Sequence, residues 1–134
     1  MGTIIHELGH AVGFFHEHQR SDRDHYIDIF KQNIAPNLDD QFNKLSPTQN
    51  RLLVGFDFNS VMLYGPLTFS RDGKSITMAP NKQHQNETML EVFQKYGLSK
   101  LNIQGIQKLY LCWGIDSILI FVQFICFWNK YKKC

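Results

Sequence analysis

The stretch GTIIHELGHAVGFFHEHQRSDRD, residues 2–24, contains three histidines and a glutamate in the pattern H-E-x-x-H-x-x-G-x-x-H. His6 and His10 are four residues apart, so on an α-helix they lie one turn apart on the same face and reach one metal ion together. Gly13 predicts the end of this helix, because glycine adopts the left-handed conformation without steric cost, and the returning chain brings in His16 as a third ligand. Three imidazoles leave one position of a tetrahedral zinc ion open for water.

The shorter motif H-E-x-x-H does not by itself establish a metal site. It is equally compatible with a buried helix whose two histidines are hydrogen-bonded to the protein. The added glycine and third histidine are what favour the metal interpretation. Glu7 lies between the first two histidines but does not share their helix face, so it is better placed to take a proton from water than to bind the ion.

The first helix is apolar on nearly all sides, which is typical of a helix buried in a core. Such a helix needs neighbours on more than one side, yet Met1 stands directly before it. We therefore expect the chain to lack an N-terminal part that covers this helix. The apolar residues are Ile4, Ile5, Leu8, Ala11, Val12, Phe14 and Phe15.

The composition is that of one globular domain with a hydrophobic core. Of the 134 residues, 43% are hydrophobic and 19% are charged. The net charge of +2 is small and no basic stripe is present, which argues against nucleic acid as a partner; no pattern specifies an oligomeric state. The cysteines are odd in number and widely spaced, so neither a zinc ribbon nor a complete disulfide framework is indicated, and ordinary reduced thiols remain an alternative. They are Cys112, Cys126 and Cys134.

The polar run EHQRSDRDHYID, residues 17–28, has two interpretations that the sequence leaves open. It is either a solvated loop or a network of ion pairs that fixes the turn presenting His16. His18 and His25 are expected to be surface or hydrogen-bonded residues, because three histidines already satisfy a zinc site. The residues available for a network are Arg20, Asp22, Arg23 and Asp24.

Two further helices are predicted downstream. Pro36 fits a first helical position, and the apolar residues after it have helical spacing, which predicts an amphipathic helix over residues 36–45. Ser99 is a good N-cap for a closing helix at about residues 100–111. The predicted fold class is α+β and mainly helical.

A hairpin is predicted in the middle of the chain. Asp72 and Gly73 supply a tight turn between residues 68–70 and 75–78. Asn86 begins a possible N-glycosylation sequence, Asn-Glu-Thr, which matters only in a chain that enters the secretory path.

The chain changes character after residue 113. Residues 118–128, ILIFVQFICFW, are strongly apolar but fall short of the roughly 20 residues that a membrane helix needs, so membrane association is not expected. The segment is a buried strand, a hydrophobic appendage or an interfacial segment, and the appendage is the interpretation we favour.

Three segments together resemble the astacin family of metzincin zinc endopeptidases. They are HELGHAVGFFHEHQRSDRD (6–24), SVMLYGP (60–66) and GLSKLNIQGIQKLYLC (97–112), in the family's order. The resemblance implies that residues 1–113 are a partial astacin-like catalytic domain. It would consist of the metzincin-like C-terminal subdomain and the zinc helix, without the N-terminal sheet subdomain. Residues 114–134 are then a hydrophobic tail of unknown role.

The resemblance also implies roles for individual residues. Glu7 becomes the catalytic base, Met62 the floor beneath the metal, and Tyr64 the tyrosine that binds zinc at rest and swings to the oxyanion during turnover. The family hydrolyses internal peptide bonds of proteins outside the cell, which implies a protein or peptide substrate and a secreted protein. One Zn²⁺ ion would be bound by His6, His10 and His16.

Several positions depart from the family's pattern. The family usually has histidine in place of Leu63 and aspartate in place of Asn102, so hydrogen bonding near the metal is expected to differ. Cys112 occupies the place of the family's closing cysteine, whose partner lies in the N-terminal subdomain. Glu17 corresponds to a residue that interacts with the N-terminus of the mature enzyme.

The sequence leaves two other functions open. The chain is alternatively a zinc-binding module without catalytic activity that acts by binding partners. A weaker hypothesis makes the hydrophobic tail the working part of a small membrane-associated protein. Both differ from the enzyme hypothesis in predicting no peptide cleavage.

Overall fold

The computed structural model describes residues 1–110, which form two α-helices and a two-stranded sheet connected by loops and short 3₁₀ helices. Helix α1 spans Gly2–Ala11 and helix α2 spans Lys100–Tyr110. Strand β1, Ile27–Ile29, pairs antiparallel with strand β2, Met78–Pro80. The α+β class is therefore confirmed. The 3₁₀ helices are Glu17–Gln19, Arg23–His25, Lys31–Asn33, Asp39–Phe42, Lys82–His84 and Val92–Gln94.

The hydrophobic core joins the sheet to the loop that follows residue 55. Ile27 and Met78, one from each strand, are 1% and 0% exposed, and Leu63 in the loop is 0% exposed. Burying a side chain of this size stabilises the folded chain by about 1.5–3 kcal/mol. The loop around Leu63 is thus held by the core. The other buried members of the cluster are Ile34, Phe42, Phe56 and Phe58.

The prediction of an amphipathic helix over residues 36–45 is wrong. Only a single 3₁₀ turn, Asp39–Phe42, forms in this stretch. The Gln41 carbonyl accepts hydrogen bonds from His18 Nε2 at 3.1 Å and from Gln19 Nε2 at 3.2 Å. A carbonyl that is committed to two distant side chains does not propagate a helix, so tertiary contacts override the local pattern.

The predicted hairpin is also wrong, although its turn is present. Gly73 has φ +69°, and the Asp72 carboxylate accepts the backbone N–H of Ser75 at 2.7 Å. The two flanking segments form no strand ladder with each other, although the Thr77 hydroxyl donates to the Thr68 carbonyl at 2.7 Å and the Ser70 hydroxyl donates to the Ser75 carbonyl at 2.8 Å. Ser70 forms a bridge with Ile34, and β2 pairs with β1. Both flanks therefore find partners in the earlier part of the chain.

The closing helix α2 is confirmed, with its N-terminus as predicted. The Ser99 hydroxyl oxygen accepts the Asn102 N–H at 2.9 Å, which is an N-cap bond. Neither α-helix within residues 1–110 is long and apolar enough to cross a membrane. The three cysteines and the tail at residues 114–134 lie outside the described residues. Asn86 is exposed.

The expectation that α1 is buried on most sides is not met within residues 1–110. Gly2, His6 and Gly9 are its only buried residues there, while Ile4 is 66% exposed and Leu8 36% exposed. The elements packed on α1 contact the face that carries the two glycines. The opposite, apolar face has no cover in the described part of the chain.

Candidate metal centre

Helix α1 ends in a reversal at Gly13, whose φ is +95°. The Phe14 N–H donates to the Gly9 carbonyl at 3.0 Å, and the Gly13 N–H donates to the His10 carbonyl at 2.9 Å. This pair of bonds closes a helix through a left-handed residue, a conformation that glycine adopts without steric cost. The predicted turn at Gly13 is confirmed, and it directs the chain back towards the helix.

The reversal brings three imidazoles together. The Nε2 atoms of His6 and His10 are 3.2 Å apart, those of His6 and His16 are 3.2 Å apart, and those of His10 and His16 are 3.0 Å apart. Three ligands of a tetrahedral zinc ion with Zn–N bonds of about 2.0–2.1 Å lie about 3.3 Å from one another. The triangle therefore has close to the size that a zinc ion requires.

The second ring nitrogen of each histidine has an acceptor outside the triangle. The Nδ1 atoms of His6, His10 and His16 lie 2.8 Å from the Val61 carbonyl, 2.8 Å from the Phe14 carbonyl and 3.2 Å from Gln19 Oε1, respectively. A neutral imidazole carries one proton, so a proton on Nδ1 leaves a lone pair on Nε2. Three lone pairs then face one point. They repel one another there unless a cation lies between them, so the donor set fits a divalent metal.

Burial keeps two of these rings neutral. It lowers the pKa of His6 below its ordinary value, and it lowers the pKa of His16 to about 4, with the nearby His10 acting in the same direction. A neutral imidazole is the form that binds metal. The site is therefore prepared for an ion at neutral pH.

The loop after residue 59 forms the other side of the site. Met62 is 1% exposed, and a Cβ placed at Gly9 would lie 2.4 Å from its Sδ atom, so the thioether packs directly on α1. The Tyr64 ring stacks on that of His6, with 5.6 Å between the centroids, and is tilted against that of His16, with 4.3 Å between the centroids. Met62 therefore lies against α1, and Tyr64 lies beside the histidines.

Glu7 is exposed on α1 beside this cluster. Its negative charge raises the pKa of Tyr64, where burial is the larger cause. The phenol therefore stays protonated at neutral pH and is able to donate a hydrogen bond. The structure brings all five predicted site residues into one neighbourhood.

A network of ion pairs supports the turn at His16, which decides between the two interpretations of the polar run. Arg20 is 8% exposed and binds both oxygens of Asp22, each at 2.9 Å. It also donates to Glu17 Oε1 at 2.9 Å. Such two-pronged contacts fix a guanidinium group in one orientation.

Glu17 connects this network to the loop beneath the site. Its backbone N–H donates to the Met62 carbonyl at 2.9 Å, and its carboxylate accepts the Asp57 N–H at 3.0 Å. Burial raises the pKa of Glu17 to about 7. The attraction of Arg20 and the hydrogen bond from the Asp57 N–H lower this pKa but do not offset the burial.

His18 is buried but does not belong to the triangle. Its Nε2 donates to the Gln41 carbonyl at 3.1 Å, and its ring lies 4.8 Å from that of Tyr64. Burial lowers its pKa to about 3. Its Nδ1 has no hydrogen-bond partner among residues 1–110. His25 is exposed, so neither extra histidine joins the site, as predicted.

The comparison with known proteins identifies the family. The family model described as "Astacin", a peptidase family, matches residues 1–111. This chain belongs to the astacin family. It is thereby related to zinc metalloendopeptidases, and the resemblance seen in the sequence is confirmed.

Individual astacin relatives agree with this assignment. "Astacin-like metalloprotease toxin 1" of Loxosceles intermedia is 45% identical over 112 residues, which are 83% of this chain and 42% of the toxin. "Zinc metalloproteinase nas-4" of Caenorhabditis elegans is 43% identical over 118 residues, 87% of this chain and 36% of that protein. The chain thus spans less than half the length of these curated relatives.

A solved astacin structure confirms the fold. "High choriolytic enzyme 1 (HCE-1), a hatching enzyme zinc-protease from Oryzias latipes (Medaka fish)" superposes with a TM-score of 0.73 at 38% identity. The match covers 83% of this chain and 52% of the hatching enzyme. The described residues therefore adopt part of an astacin-type zinc protease fold.

Two residues of this astacin site are not predicted as functional from the sequence. Gln19 Oε1 accepts a hydrogen bond from His16 Nδ1. Asn102 Oδ1 accepts the Val61 N–H at 3.1 Å and so binds the loop that also contacts His6. Its Nδ2 donates to Ser60 Oγ at 2.8 Å. In the sequence Asn102 is only a departure from the family's pattern. No local signal marks Gln19, because its bond depends on the folded turn.

Proposed function

We propose that the chain is a zinc-dependent endopeptidase segment in which His6, His10 and His16 hold one Zn²⁺ ion. The observation that carries the proposal is the convergence of the three Nε2 atoms, no two of them more than 3.2 Å apart. Glu7 and Tyr64 lie beside this triangle. A metal ligand set with an adjacent carboxylate and phenol is suited to hydrolysis of an amide bond.

The residues of the chain have separate tasks in this reaction. When bound, the ion polarises the scissile carbonyl and lowers the pKa of water to about 7. Glu7 removes the proton from the attacking water and returns it to the leaving amine. The Tyr64 phenol donates a hydrogen bond to the carbonyl oxygen as negative charge develops on it. Met62 supports α1 from below and excludes water from that side.

The wider assignment follows from the relatives. We propose that residues 1–113 are part of an astacin-like catalytic domain, because the family model ends at residue 111 and the solved relative is matched over 52% of its length. The proposed part is the C-terminal subdomain with the zinc helix. The substrate class is protein or peptide. The location is extracellular, as is expected of relatives named as a toxin and a hatching enzyme.

Peptide cleavage by the purified 134-residue chain tests the proposal. The chain is loaded with one equivalent of zinc and incubated with an unstructured protein substrate, and new peptide ends are identified by mass spectrometry. Glu7→Gln removes the base without changing the size of the side chain, and we expect cleavage to fall by at least about 100-fold. Glu87→Gln, at an exposed position, is the matched control and should cleave as the unaltered chain does.

The same assay separates the enzyme from the alternative function. Equal inactivity of the unaltered chain and Glu7→Gln, with zinc bound in both, would favour a metal-binding module without catalysis. Cleavage that survives in Glu7→Gln would contradict the assigned base. Zinc content is therefore measured on every sample before the assay.

A further inference from the structure

Residues 91–95 lie outside both helices yet contact the start of the metal-binding helix. A Cβ placed at Gly2 would lie 2.0 Å from the carbonyl oxygen of Val92 and 2.5 Å from that of Lys95. Any side chain at Gly2 would therefore collide with the backbone of this segment. The first turn of α1 rests directly on residues 91–95.

The same segment contains a buried lysine, Lys95, whose ammonium group contacts the loop at residues 60–63. Lys95 is 6% exposed, and its Nζ donates to the Ser60 carbonyl at 2.7 Å and to the Leu63 carbonyl at 2.5 Å. Within residues 1–110, none of its contacts is an ion pair with a carboxylate. Burying a charge without a counter-ion in contact is unfavourable unless hydrogen bonds compensate. The two carbonyls supply that compensation, and the carboxylates of Asp57, Glu91 and Glu17 attract the ammonium group from further away.

The two carbonyls belong to the residues on either side of Val61 and Met62, which contact helix α1 and its histidines. Val61 and Met62 lie between Ser60 and Leu63 in the chain, and the Leu63 N–H also donates to the Ser60 carbonyl at 3.1 Å. The Val61 carbonyl accepts His6 Nδ1 at 2.8 Å. Lys95 therefore binds both ends of the tight turn at residues 60–63. The middle of this turn, through the Val61 carbonyl, orients His6.

We propose that Lys95 is a positioning residue of the metal centre, whose ammonium group ties the ends of turn 60–63 so that the Val61 carbonyl holds His6 in its metal-binding orientation. The assignment rests on the proposed function, since it concerns the same histidine triangle. Lys95 touches neither the ion nor the substrate. Partners beyond the ligands orient the imidazoles, and their loss weakens metal affinity by about 10–100-fold in known sites.

The test compares Lys95→Met, Lys95→Arg and the control Lys108→Met in the full chain. Lys108 also donates to a backbone carbonyl, that of Leu53 at 2.8 Å, but it is exposed. The first readout is zinc affinity, measured by competition with a chromophoric chelator. The second is the ¹⁵N shifts of the His6 ring in the zinc-free chain, which report whether Nδ1 or Nε2 carries the proton.

We expect Lys95→Met to weaken zinc binding by about tenfold and to remove the preference of His6 for a proton on Nδ1. Lys95→Arg, which keeps charge and donors, should restore both properties in large part, and Lys108→Met should match the unaltered chain. Unchanged affinity and unchanged His6 shifts in folded Lys95→Met would overturn the assignment.

Two further outcomes are decisive. If Lys95→Met does not fold, Lys95→Gln, a neutral side chain that retains an N–H donor, replaces it with the same expectations. Loss of fold in both neutral variants contradicts the assignment, because the role is then general stability. If the unaltered chain binds no zinc, the proposed function fails, whereas the His6 shifts of the zinc-free variants still decide the role of Lys95.

Discussion

Replacing Asn102 by leucine should destabilise the fold substantially, because this side chain holds the loop that packs against the histidine triangle. Asn102 is 6% exposed; its Oδ1 accepts the Val61 N–H at 3.1 Å, and its Nδ2 donates to Ser60 Oγ at 2.8 Å. Leucine has a similar volume but no polar atom. The substitution therefore leaves a buried N–H without an acceptor while filling the same space.

The magnitude follows mainly from these two bonds, since the third bond to this side chain, from the Ser99 N–H to Asn102 Oδ1, is longer at 3.3 Å. An unpaired buried N–H costs about 1–3 kcal/mol, and loss of the second bond about 1 kcal/mol, which gives an expected destabilisation of about 2–4 kcal/mol. Urea unfolding followed by circular dichroism measures this difference. Gln104→Leu, at an exposed position of the same helix, is the matched control for leucine itself and should change stability by less than about 0.5 kcal/mol.

Asn102→Asp tests whether the destabilisation comes from the lost hydrogen bonds, because aspartate changes the side chain but keeps acceptors for them. Aspartate keeps the acceptor for Val61, and the Ser60 hydroxyl is able to rotate and donate to the second carboxylate oxygen. We expect less than half of the destabilisation seen with leucine. A loss below about 1 kcal/mol for Asn102→Leu would refute the reasoning, since an unpaired buried N–H must cost at least that much.

Two further substitutions test the turn that presents the third histidine. Gly13→Ala should destabilise the chain by about 1–2 kcal/mol in thermal unfolding, because φ is +95° there. Gly55→Ala, at a position without positive φ and with open space, should be nearly neutral. Equal effects of the two substitutions would contradict the requirement for a left-handed conformation at Gly13. The pKa of Glu17 is raised from 4.5 to about 7 on folding, so its contribution to stability is complete below pH 4.5 and is lost as the pH rises through 7. Between about pH 5 and 8 the unfolding free energy of the unaltered chain should therefore fall by up to about 3 kcal/mol relative to that of Glu17→Gln, because the buried histidines, whose pKa values are lowered on folding, contribute their opposite slope equally to both chains. Parallel profiles would argue against a buried, protonated Glu17.

Features that depend on a few neighbouring residues were predictable from the sequence. The spacing of His6 and His10 specifies one helix face, and Gly13 supplies the reversal that brings in His16. Ser99 likewise caps α2 through a bond to a residue three positions away. In each case the partners are close in the chain, so the local pattern contains the whole interaction.

Features that depend on contacts between distant segments were not predictable. The helix predicted over residues 36–45 is replaced by a single turn, because the Gln41 carbonyl binds side chains from the turn after His16. No sequence pattern marks Lys95, yet it binds carbonyls more than thirty positions away. No local period encodes such bonds, since they form only when the loops are brought together.

Zinc titration of the 134-residue chain is the decisive check on the histidine triangle. We predict uptake of one equivalent of zinc per chain at about pH 7.5, and we predict that His10→Gln abolishes stoichiometric binding because only two imidazoles remain. His25→Gln, which removes an exposed histidine outside the triangle, should bind zinc as the unaltered chain does. A folded chain that takes up no zinc, or one whose uptake is unchanged by His10→Gln, would contradict the assignment of the metal centre.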